Sequence, residues 1–259
     1  MPDPHSHNDR AASFEQGADT YAATRPPYPD EAVDWLLPDS AGTVLDLAAG
    51  TGKLTGALVA RGLTVHAVEP SQAMLGHLQA ALPGVHAHVG TAEQIPLPDD
   101  AVDGIVVGQA WHWFQRGAVA EIARVLRPGG RLGVVWNTRD HTVDWVRRFG
   151  EILHRGDELN PTESNAAPVL QAAPADDHAG ETPFGAIESA TFRWRHRLPT
   201  SALRPLAASR SYLIALPADR RDELLAEVDA LVATHPDLAG RDETELPYVA
   251  ECYRADLAG

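Results

Sequence analysis

The stretch VLDLAAGTGKLTGAL, residues 44–58, changes its pattern twice within one short segment. It begins as a buried β-strand, breaks into small residues around Gly50 and Gly52, and resumes helical spacing from Leu54 to Leu58. A strand that ends in glycines lets the backbone approach a ligand closely, and the first N–H groups of the next helix are available to bind it. The stretch therefore predicts a ligand site where one strand meets the following helix.

The surrounding sequence alternates short β-branched segments with amphipathic ones. Strands are predicted at TVLDLA (43–48), LTVHAVE (63–69), VHAHV (85–89), VDGIVVG (102–108), RLGVVW (131–136), SATFRWRHRL (189–198) and LPYVAECYRA (246–255). Helical spacing separates the first five, and a further helix is predicted over 218–235. Because a right-handed crossover needs a helix to return the chain, this order predicts an α/β fold. We expect a Rossmann-like, doubly wound, mostly parallel seven-stranded sheet with helices on both faces and a helical lid.

A single domain is predicted for residues 1–259, because a chain of this length can bury one large core. We expect an N-terminal lid over 1–40, a cofactor-binding core over 41–140, and substrate-side helices with the last strands over 141–259. Residues 161–183, rich in Ala, Pro, Asp and Glu, have no sustained periodicity and are predicted to form a mobile loop or linker.

Composition narrows the class of partner. Lys and Arg total 21 against 36 Asp and Glu, a formal charge of −15 that would repel a phosphate backbone over most of the surface. Cys252 is the single cysteine, which excludes an intrachain disulfide and suits a reducing cytoplasm. No signal peptide or apolar run of membrane-spanning length is evident. We expect a cytoplasmic monomer or homodimer that acts on a small molecule and binds neither nucleic acid nor membrane.

Two cofactor classes use a glycine loop of this kind. Dinucleotide sites favour G-x-G-x-x-G, but Thr55 occupies the third glycine position here, so an NAD(P)-dependent oxidoreductase is disfavoured. Asp46 lies within the first strand, where its charge would oppose a pyrophosphate and favour an ammonium or sulfonium centre. Glu69 ends the second strand, where a carboxylate can accept both hydroxyls of a ribose. Together the two carboxylates indicate a positively charged nucleoside.

With these features the sequence resembles the class I S-adenosylmethionine-dependent methyltransferases, in particular the small-molecule branch that includes trans-aconitate and ubiquinone-type methyltransferases. The resemblance runs from about Phe14 to Trp145, with weaker agreement beyond. It is carried by YAATRPPYP (21–29), LDLAAGTGKLT (45–55), VEPSQAML (68–75), GTAEQIPLPDDAVD (90–103), QAWHWF (109–114) and EIARVLRPGGRLGVVWN (121–137). The order and spacing of these motifs are far more specific than one glycine loop.

The resemblance implies S-adenosylmethionine as cofactor and assigns residues to it. The methionine part would be wrapped by the first strand and its loop, the ribose held at the end of the second strand, and the adenine flanked by residues further along the chain. The implied cofactor residues are Tyr21, Arg25, Asp46, Ala48, Gly50, Gly52, Glu69, Pro70, Met74, Thr91, Ala92 and Gln109. The family usually has glycine where this chain has Ala48, and often an acidic residue where it has Thr91.

The acceptor side is predicted from the residues after the strands. A sulfonium methyl is already activated, so the protein mainly aligns a nucleophile and excludes water. His112 is the candidate general base, with binding or packing of the cofactor loop as its alternative role. Candidate substrate-binding residues are Trp111, Trp113 and Arg139, and the resemblance adds Tyr28, which it assigns to the N-terminal lid with Tyr21 and Arg25. For the two tryptophans, core packing is the alternative.

Oxygen is the favoured acceptor atom, a carboxylate above all, because that nucleophile has no proton to lose. Nitrogen and carbon acceptors stay open, as does a protein that binds the cofactor without transferring its methyl group.

Two other patterns have a structural and a functional interpretation. In FRWRHRL (192–198) apolar residues alternate with three arginines, which predicts either a solvated charged face or, with Arg139 or Arg147, a clamp for an anionic substrate. His86 and His88 share a strand face, but no third ligand is evident and no metal site is predicted.

Overall fold

Residues 26–115, 117–155, 182–210, 213–214 and 216–258 are described by the structure, a computed structural model. Among them seven strands form one sheet: β1 Thr43–Leu47, β2 Thr64–Glu69, β3 His86–Val89, β4 Val102–Gly108, β5 Leu126–Arg139, β6 Glu188–Pro199 and β7 Glu243–Asp256. Their order is β3-β2-β1-β4-β5-β7-β6. The strands β1 to β5 pair in parallel. The predicted mostly parallel, seven-stranded, Rossmann-like sheet is confirmed.

The last strand runs antiparallel to β5. Leu257 donates its N–H to the carbonyl of Gly130, and the Thr138 hydroxyl donates to the carbonyl of Val249. Residue numbers therefore fall along β7 as they rise along β5.

The described helices are α1 Asp30–Leu36, α2 Lys53–Val59, α3 Gln72–Ala81, α4 Ala118–Val125, α5 Asp144–Leu153, α6 Leu203–Ala208 and α7 Ala218–Thr234, with short 3-10 turns at Trp111–Trp113 and Thr200–Ala202. Ala67 packs with Leu78 of α3, whereas the next residue, Val68, belongs to the cluster that contains Ile122 of α4. Successive strand residues point to opposite faces, so α3 and α4 lie on opposite sides. Among the described residues no helix is long and apolar enough to cross a membrane.

The chain divides into two compact units, each with its own core. Unit one comprises the described residues of 27–138, 163–192 and 249–259, and unit two those of 1–26, 139–162 and 193–248. The core of unit one joins the strands to α4, and the core of unit two joins α5, α6 and α7. The single-domain organisation and its subdivisions stay predictions. Tyr21 and Arg25, and nearly all of the predicted loop 161–183, lie outside the described residues.

One predicted strand boundary is wrong in an instructive way. The sequence predicts a fifth strand that begins at Arg131, after the PGG turn, but β5 already begins at Leu126. Leu126 pairs with Val102, and the register then shifts so that Arg131 pairs with Gly104. The extra residues on β5 form a β-bulge, and Gly129, with φ +74°, lies within it. The two glycines therefore lie inside β5, where they interrupt its pairing with β4, and the strand begins before them.

Gly133 of β5 offers a direct test of packing in unit one. A Cβ atom there would lie 2.9 Å from both Cβ and the carbonyl oxygen of Leu36 in α1, and backbone cannot yield cheaply. Gly133→Ala should therefore lower the free energy of unfolding by about 1–3 kcal/mol. Gly76→Ala is the matched control, because a Cβ at that exposed position of α3 meets nothing within 4 Å. The control should stabilise by about 0.5–1 kcal/mol through helix propensity. Equal effects of the two substitutions in urea denaturation would contradict this packing.

Candidate cofactor site

The glycine loop is fixed to the end of β2 by its own backbone. The N–H groups of Ala48 and Ala49 both donate to the carbonyl of Val68, at 2.8 and 3.1 Å. The N–H of Gly50 donates to Oε2 of Glu69 at 2.9 Å. Since β1 and β2 are parallel neighbours, these bonds bring the loop and Glu69 to the same carboxyl edge of the sheet.

Asp46 is a buried carboxylate inside β1. It is 1% exposed, and its Oδ2 accepts a hydrogen bond of 2.6 Å from the Thr55 hydroxyl. Burial raises the pKa of Asp46 to about 7, and the nearby Glu69 charge adds to the rise, while the Thr55 bond opposes it. A carboxylate at such a position is stabilised by a neighbouring cation, which the described protein groups do not provide.

Glu69 is also buried, but it is held from two sides by backbone donors. Oε2 accepts from the Gly50 N–H, and Oε1 accepts from the Ser71 N–H at 3.0 Å. Burial raises the pKa of Glu69, and both backbone bonds oppose that rise. Each carboxylate oxygen can accept a second hydrogen bond, so the group can still receive a diol while its orientation is fixed.

Thr51 is a candidate that the sequence analysis did not identify. Its Oγ1 is buried and has no hydrogen-bond partner among the described residues. Buried hydroxyls are normally satisfied, so this atom indicates a polar ligand group in the loop. The signal could have been read from the sequence, because Thr51 lies between Gly50 and Gly52. These glycines are needed where they are: both have positive φ, and a Cβ at Gly52 would lie 2.9 Å from Cγ of Leu78.

The predicted adenine side comes after β2 and β3. Ser71 caps α3 by accepting the N–H of Met74 at 3.3 Å, as its place just before the helical spacing of Met74, Leu75 and Leu78 predicts. The Met74 sulfur lies 3.9 Å from where a Gly50 Cβ would be. Ala92 is buried, whereas Thr91 and Pro70 are exposed.

A third set of residues lies at the end of β4. Gln109 has φ +62°; its N–H donates to the carbonyl of Val135, and its Nε2 donates to the carbonyl of Asn137, both at 2.9 Å. Asn137 in turn donates from Nδ2 to the carbonyl of Pro27 at 2.9 Å. The neighbouring Tyr28 lies against Gly108. Gln109 and Tyr28 are thereby both fixed at the carboxyl end of β4.

The aromatic segment after β4 divides into buried and exposed side chains. Trp111 is 5% exposed, belongs to the core of unit one and packs against Phe114 with ring centroids 5.5 Å apart. Trp111 therefore packs in the core, which was the alternative interpretation of this residue. His112 and Trp113 are exposed, with ring centroids 4.8 Å apart.

The arginines of unit two act mainly as partners of carboxylates. Arg193 pairs with Asp140 at 2.5 Å, Arg195 with Glu245 and Arg197 with Glu243, and Arg147 pairs with Asp144 and Glu151. The arginines of β6 are exposed while the residues between them are at least partly buried, which confirms the predicted alternation. The solvated face therefore accounts for this strand, and the arginine clamp is not supported. Arg139 lies over the Phe149 ring, 5.0 Å from its centroid.

The histidines of β2 and β3 stack on one another. The His66 ring stacks with both His86 and His88, and Nδ1 of His66 lies 3.2 Å from Nε2 of His88. Burial and the neighbouring imidazoles lower the pKa of both His66 and His88. Among the described residues no group of three or more potential ligands has metal-binding geometry.

Comparison with known proteins agrees with this architecture. Residues 45–134 match a family model described as a methyltransferase domain. An uncharacterised methyltransferase of Mycobacterium tuberculosis is 48% identical over 98% of this chain and 99% of its own length. A methyltransferase-like protein of Schizosaccharomyces pombe is 33% identical over 94% and 95%. A solved structure of a putative type II methyltransferase from Anaeromyxobacter dehalogenans superposes with a TM-score of 0.67 at 26% identity, covering 90% of this chain and 97% of that one.

The chain therefore belongs to the class I S-adenosylmethionine-dependent methyltransferases. It is an enzyme of the methyltransferase class with S-adenosylmethionine as cofactor. The similarity to the mycobacterial and yeast proteins extends over almost the whole chain, beyond the 45–134 segment that the family model covers.

Ala48 occupies a loop position where class I methyltransferases usually have glycine. Its φ is +61°, a conformation that costs an L-residue about 1 kcal/mol relative to glycine. Ala48→Gly should therefore raise the free energy of unfolding by up to about 1 kcal/mol. Ala49→Gly is the control, because Ala49 has no positive φ and packs with Ala67 and Leu78. It should lower stability by a similar amount, and a destabilising Ala48→Gly in thermal denaturation would show that the backbone is not strained there.

Proposed function

We propose that the chain transfers the methyl group of S-adenosylmethionine to an oxygen atom, carboxylate or hydroxyl, of a small-molecule acceptor. The observation that carries the cofactor half of this proposal is the pair of buried carboxylates, Asp46 and Glu69, with the Gly50 N–H bound to Glu69. Two buried acids are costly unless a cation or hydrogen-bond donors compensate them. A cofactor with a cationic methionine part and a ribose diol supplies both.

In this proposal each predicted cofactor residue keeps a role suited to its surroundings. Asp46, Ala48, Gly50 and Gly52 surround the methionine part, and the orphan hydroxyl of Thr51 adds a polar contact. Glu69 accepts the ribose hydroxyls. Pro70 and Met74 flank the adenine, Thr91 and Ala92 meet its edge, and Gln109 lies near the methionine backbone. The predicted contributions of Tyr21 and Arg25 belong to the same assignment.

The cofactor supplies an activated methyl group, so the residues of this chain have to orient the acceptor and exclude water. A carboxylate acceptor requires no proton removal. That choice is favoured because both buried carboxylates of the site already accept hydrogen bonds, Asp46 from the Thr55 hydroxyl of α2 and Glu69 from the Gly50 N–H, and neither is assigned as a general base. For a hydroxyl acceptor, His112 is the proposed general base. Its exposed position after β4 leaves the imidazole accessible to a substrate.

Acceptor binding is proposed for Tyr28 and Trp113 of unit one, supported by Trp111, which packs against Phe114 in the core of that unit. Arg139 belongs to unit two, and its predicted part in acceptor binding is proposed from the sequence alone. Tyr28 is positioned at the end of β4, and Trp113 is the exposed large aromatic in the segment after that strand.

The proposed cellular location is the cytoplasm, which the single buried thiol of Cys252 suits. The net charge of −15 continues to disfavour nucleic acid as substrate.

Isothermal titration calorimetry with S-adenosylhomocysteine tests the cofactor assignment. The wild-type chain should bind it saturably and show no heat with NADH. Glu69→Gln should weaken binding by about 10- to 100-fold, because it removes the charged acceptor for the ribose and for the Gly50 N–H. Glu31→Gln, the same chemical change at an exposed position of α1, should leave the affinity unchanged.

Two results would contradict the proposal: no heat from the wild-type chain with either the methyl donor or its demethylated product, or equal affinities of the Glu69 and Glu31 variants. The acceptor half is tested separately by methyl transfer from labelled S-adenosylmethionine to panels of carboxylic acids, alcohols and amines. Methylation confined to amines would overturn the choice of oxygen.

A further inference from the structure

Tyr28 occupies a recess that exists because Gly108 has no side chain. A Cβ on Gly108 would lie 2.6 Å from the Tyr28 hydroxyl oxygen and 3.2 Å from Cζ, with Cδ2 of Leu54 at 3.3 Å on another side. A separation of 2.6 Å is far below van der Waals contact, so a side chain at position 108 would displace the ring. The φ of Gly108 is not in the left-handed region, so the absent side chain is what this position requires.

The segment that carries Tyr28 is conformationally restricted, and hydrogen bonds hold the residues before and after the tyrosine. It reads Pro26-Pro27-Tyr28-Pro29, and prolines fix φ and restrict the residue before them. On one side, the carbonyl of Pro29 accepts the N–H groups of Ala32 and Val33 at the start of α1. On the other side, the carbonyl of Pro27 accepts from Nδ2 of Asn137.

Asn137 connects this segment to the end of β4 through a single residue. Its side chain holds Pro27, while its main-chain carbonyl accepts Nε2 of Gln109. Asn137 is 8% exposed, so both bonds are sheltered from competing water. The prolines restrict the backbone dihedrals of this segment. The hydrogen bond at Pro27 therefore restrains the position of the next residue, Tyr28.

We propose that Asn137 is a positioning residue of the cofactor site, which keeps the Tyr28 ring in the recess over Gly108 and beside Gln109. The inference rests on the proposed function, which places Gln109 near the methionine part of the cofactor and assigns Tyr28 to the acceptor. It adds that the Tyr28 ring, which lies against Gly108, also supports cofactor binding at the neighbouring Gln109. Asn137 does not itself reach the reacting atoms. It acts through Tyr28 and Gln109, and its loss should affect ligand affinity more than the loss of a residue with a purely structural role.

The first test compares Asn137→Ala with Thr138→Val, which removes the neighbouring hydrogen bond from the Thr138 hydroxyl to the Val249 carbonyl. Each substitution deletes one side-chain hydrogen bond from adjacent residues of β5, and both should lower the melting temperature. In calorimetry with S-adenosylhomocysteine, Asn137→Ala should raise Kd about 10-fold and Thr138→Val less than about twofold. Equal Kd values for the two variants would reduce Asn137 to a structural residue and overturn the inference.

The second test is a double-mutant cycle between Gly108 and Tyr28. Gly108→Ala displaces the ring and should raise Kd about 10-fold, as Asn137→Ala does. In a Tyr28→Ala background the recess is empty, and adding Gly108→Ala should change Kd less than about twofold. Additive effects would mean that Gly108 acts independently of Tyr28, which would overturn the proposal even if Asn137→Ala fails to fold. Absence of binding by the wild-type chain would instead contradict the cofactor assignment itself.

Discussion

The site depends on two carboxylates that are buried at the adjacent carboxyl ends of β1 and β2. Asp46 is compensated by one hydroxyl and Glu69 by two backbone N–H groups. The loop conformation results from this arrangement, because Gly50 must turn its N–H toward Glu69 while Ala48 and Ala49 turn theirs toward Val68. What remains uncompensated is the charge of Asp46, and a positively charged ligand is the group that would relieve it.

Two of the three non-glycine residues with positive φ in the described part of the chain lie at this edge of the sheet, and the third, Asp100, precedes β4. Ala48 and Gln109 come directly after β1 and β4, and both adopt a left-handed conformation that glycine would adopt more readily. In both cases the N–H is held by a carbonyl of a neighbouring strand, Val68 or Val135. The two parallel strands are adjacent, so the strained residues flank one position. Asn137 extends this framework to the proline segment through its hydrogen bond to the Pro27 carbonyl.

The fold was predictable because its signals are local and periodic. Alternating strands and helices, the Gly50 and Gly52 turn and the Ser71 cap each depend on neighbouring residues, and the structure agrees with them. The early start of β5 was not predictable, since a bulge depends on pairing with β4. The roles of Asn137 and Gly108 could not be predicted from the sequence either, because they depend on contacts with Pro27 and Tyr28, which lie far away in the chain.

The same reason explains the ambiguous arginines and tryptophans. The sequence shows that Arg193 and Arg195 lie on one strand face, but their pairing with Asp140 and Glu245 requires the fold. Trp111 and Trp113 are separated by one residue in the same motif, yet one is in the core and the other is exposed. Acceptor identity depends on such distant contacts, which is why the sequence defined the cofactor class more sharply than the acceptor.

The ionisation of Asp46 tests the central claim most directly. Side-chain carboxyl ¹³C NMR, assigned with the Asp46→Asn variant, would follow its titration with and without S-adenosylmethionine. We predict a pKa of about 7 in the cofactor-free chain, because burial disfavours the charged form. Saturation with the positively charged cofactor should lower that pKa by about one pH unit or more, because a nearby cation favours the carboxylate. An ordinary pKa near 3.8 without cofactor, or a value that the cofactor leaves unchanged, would contradict the role assigned to Asp46.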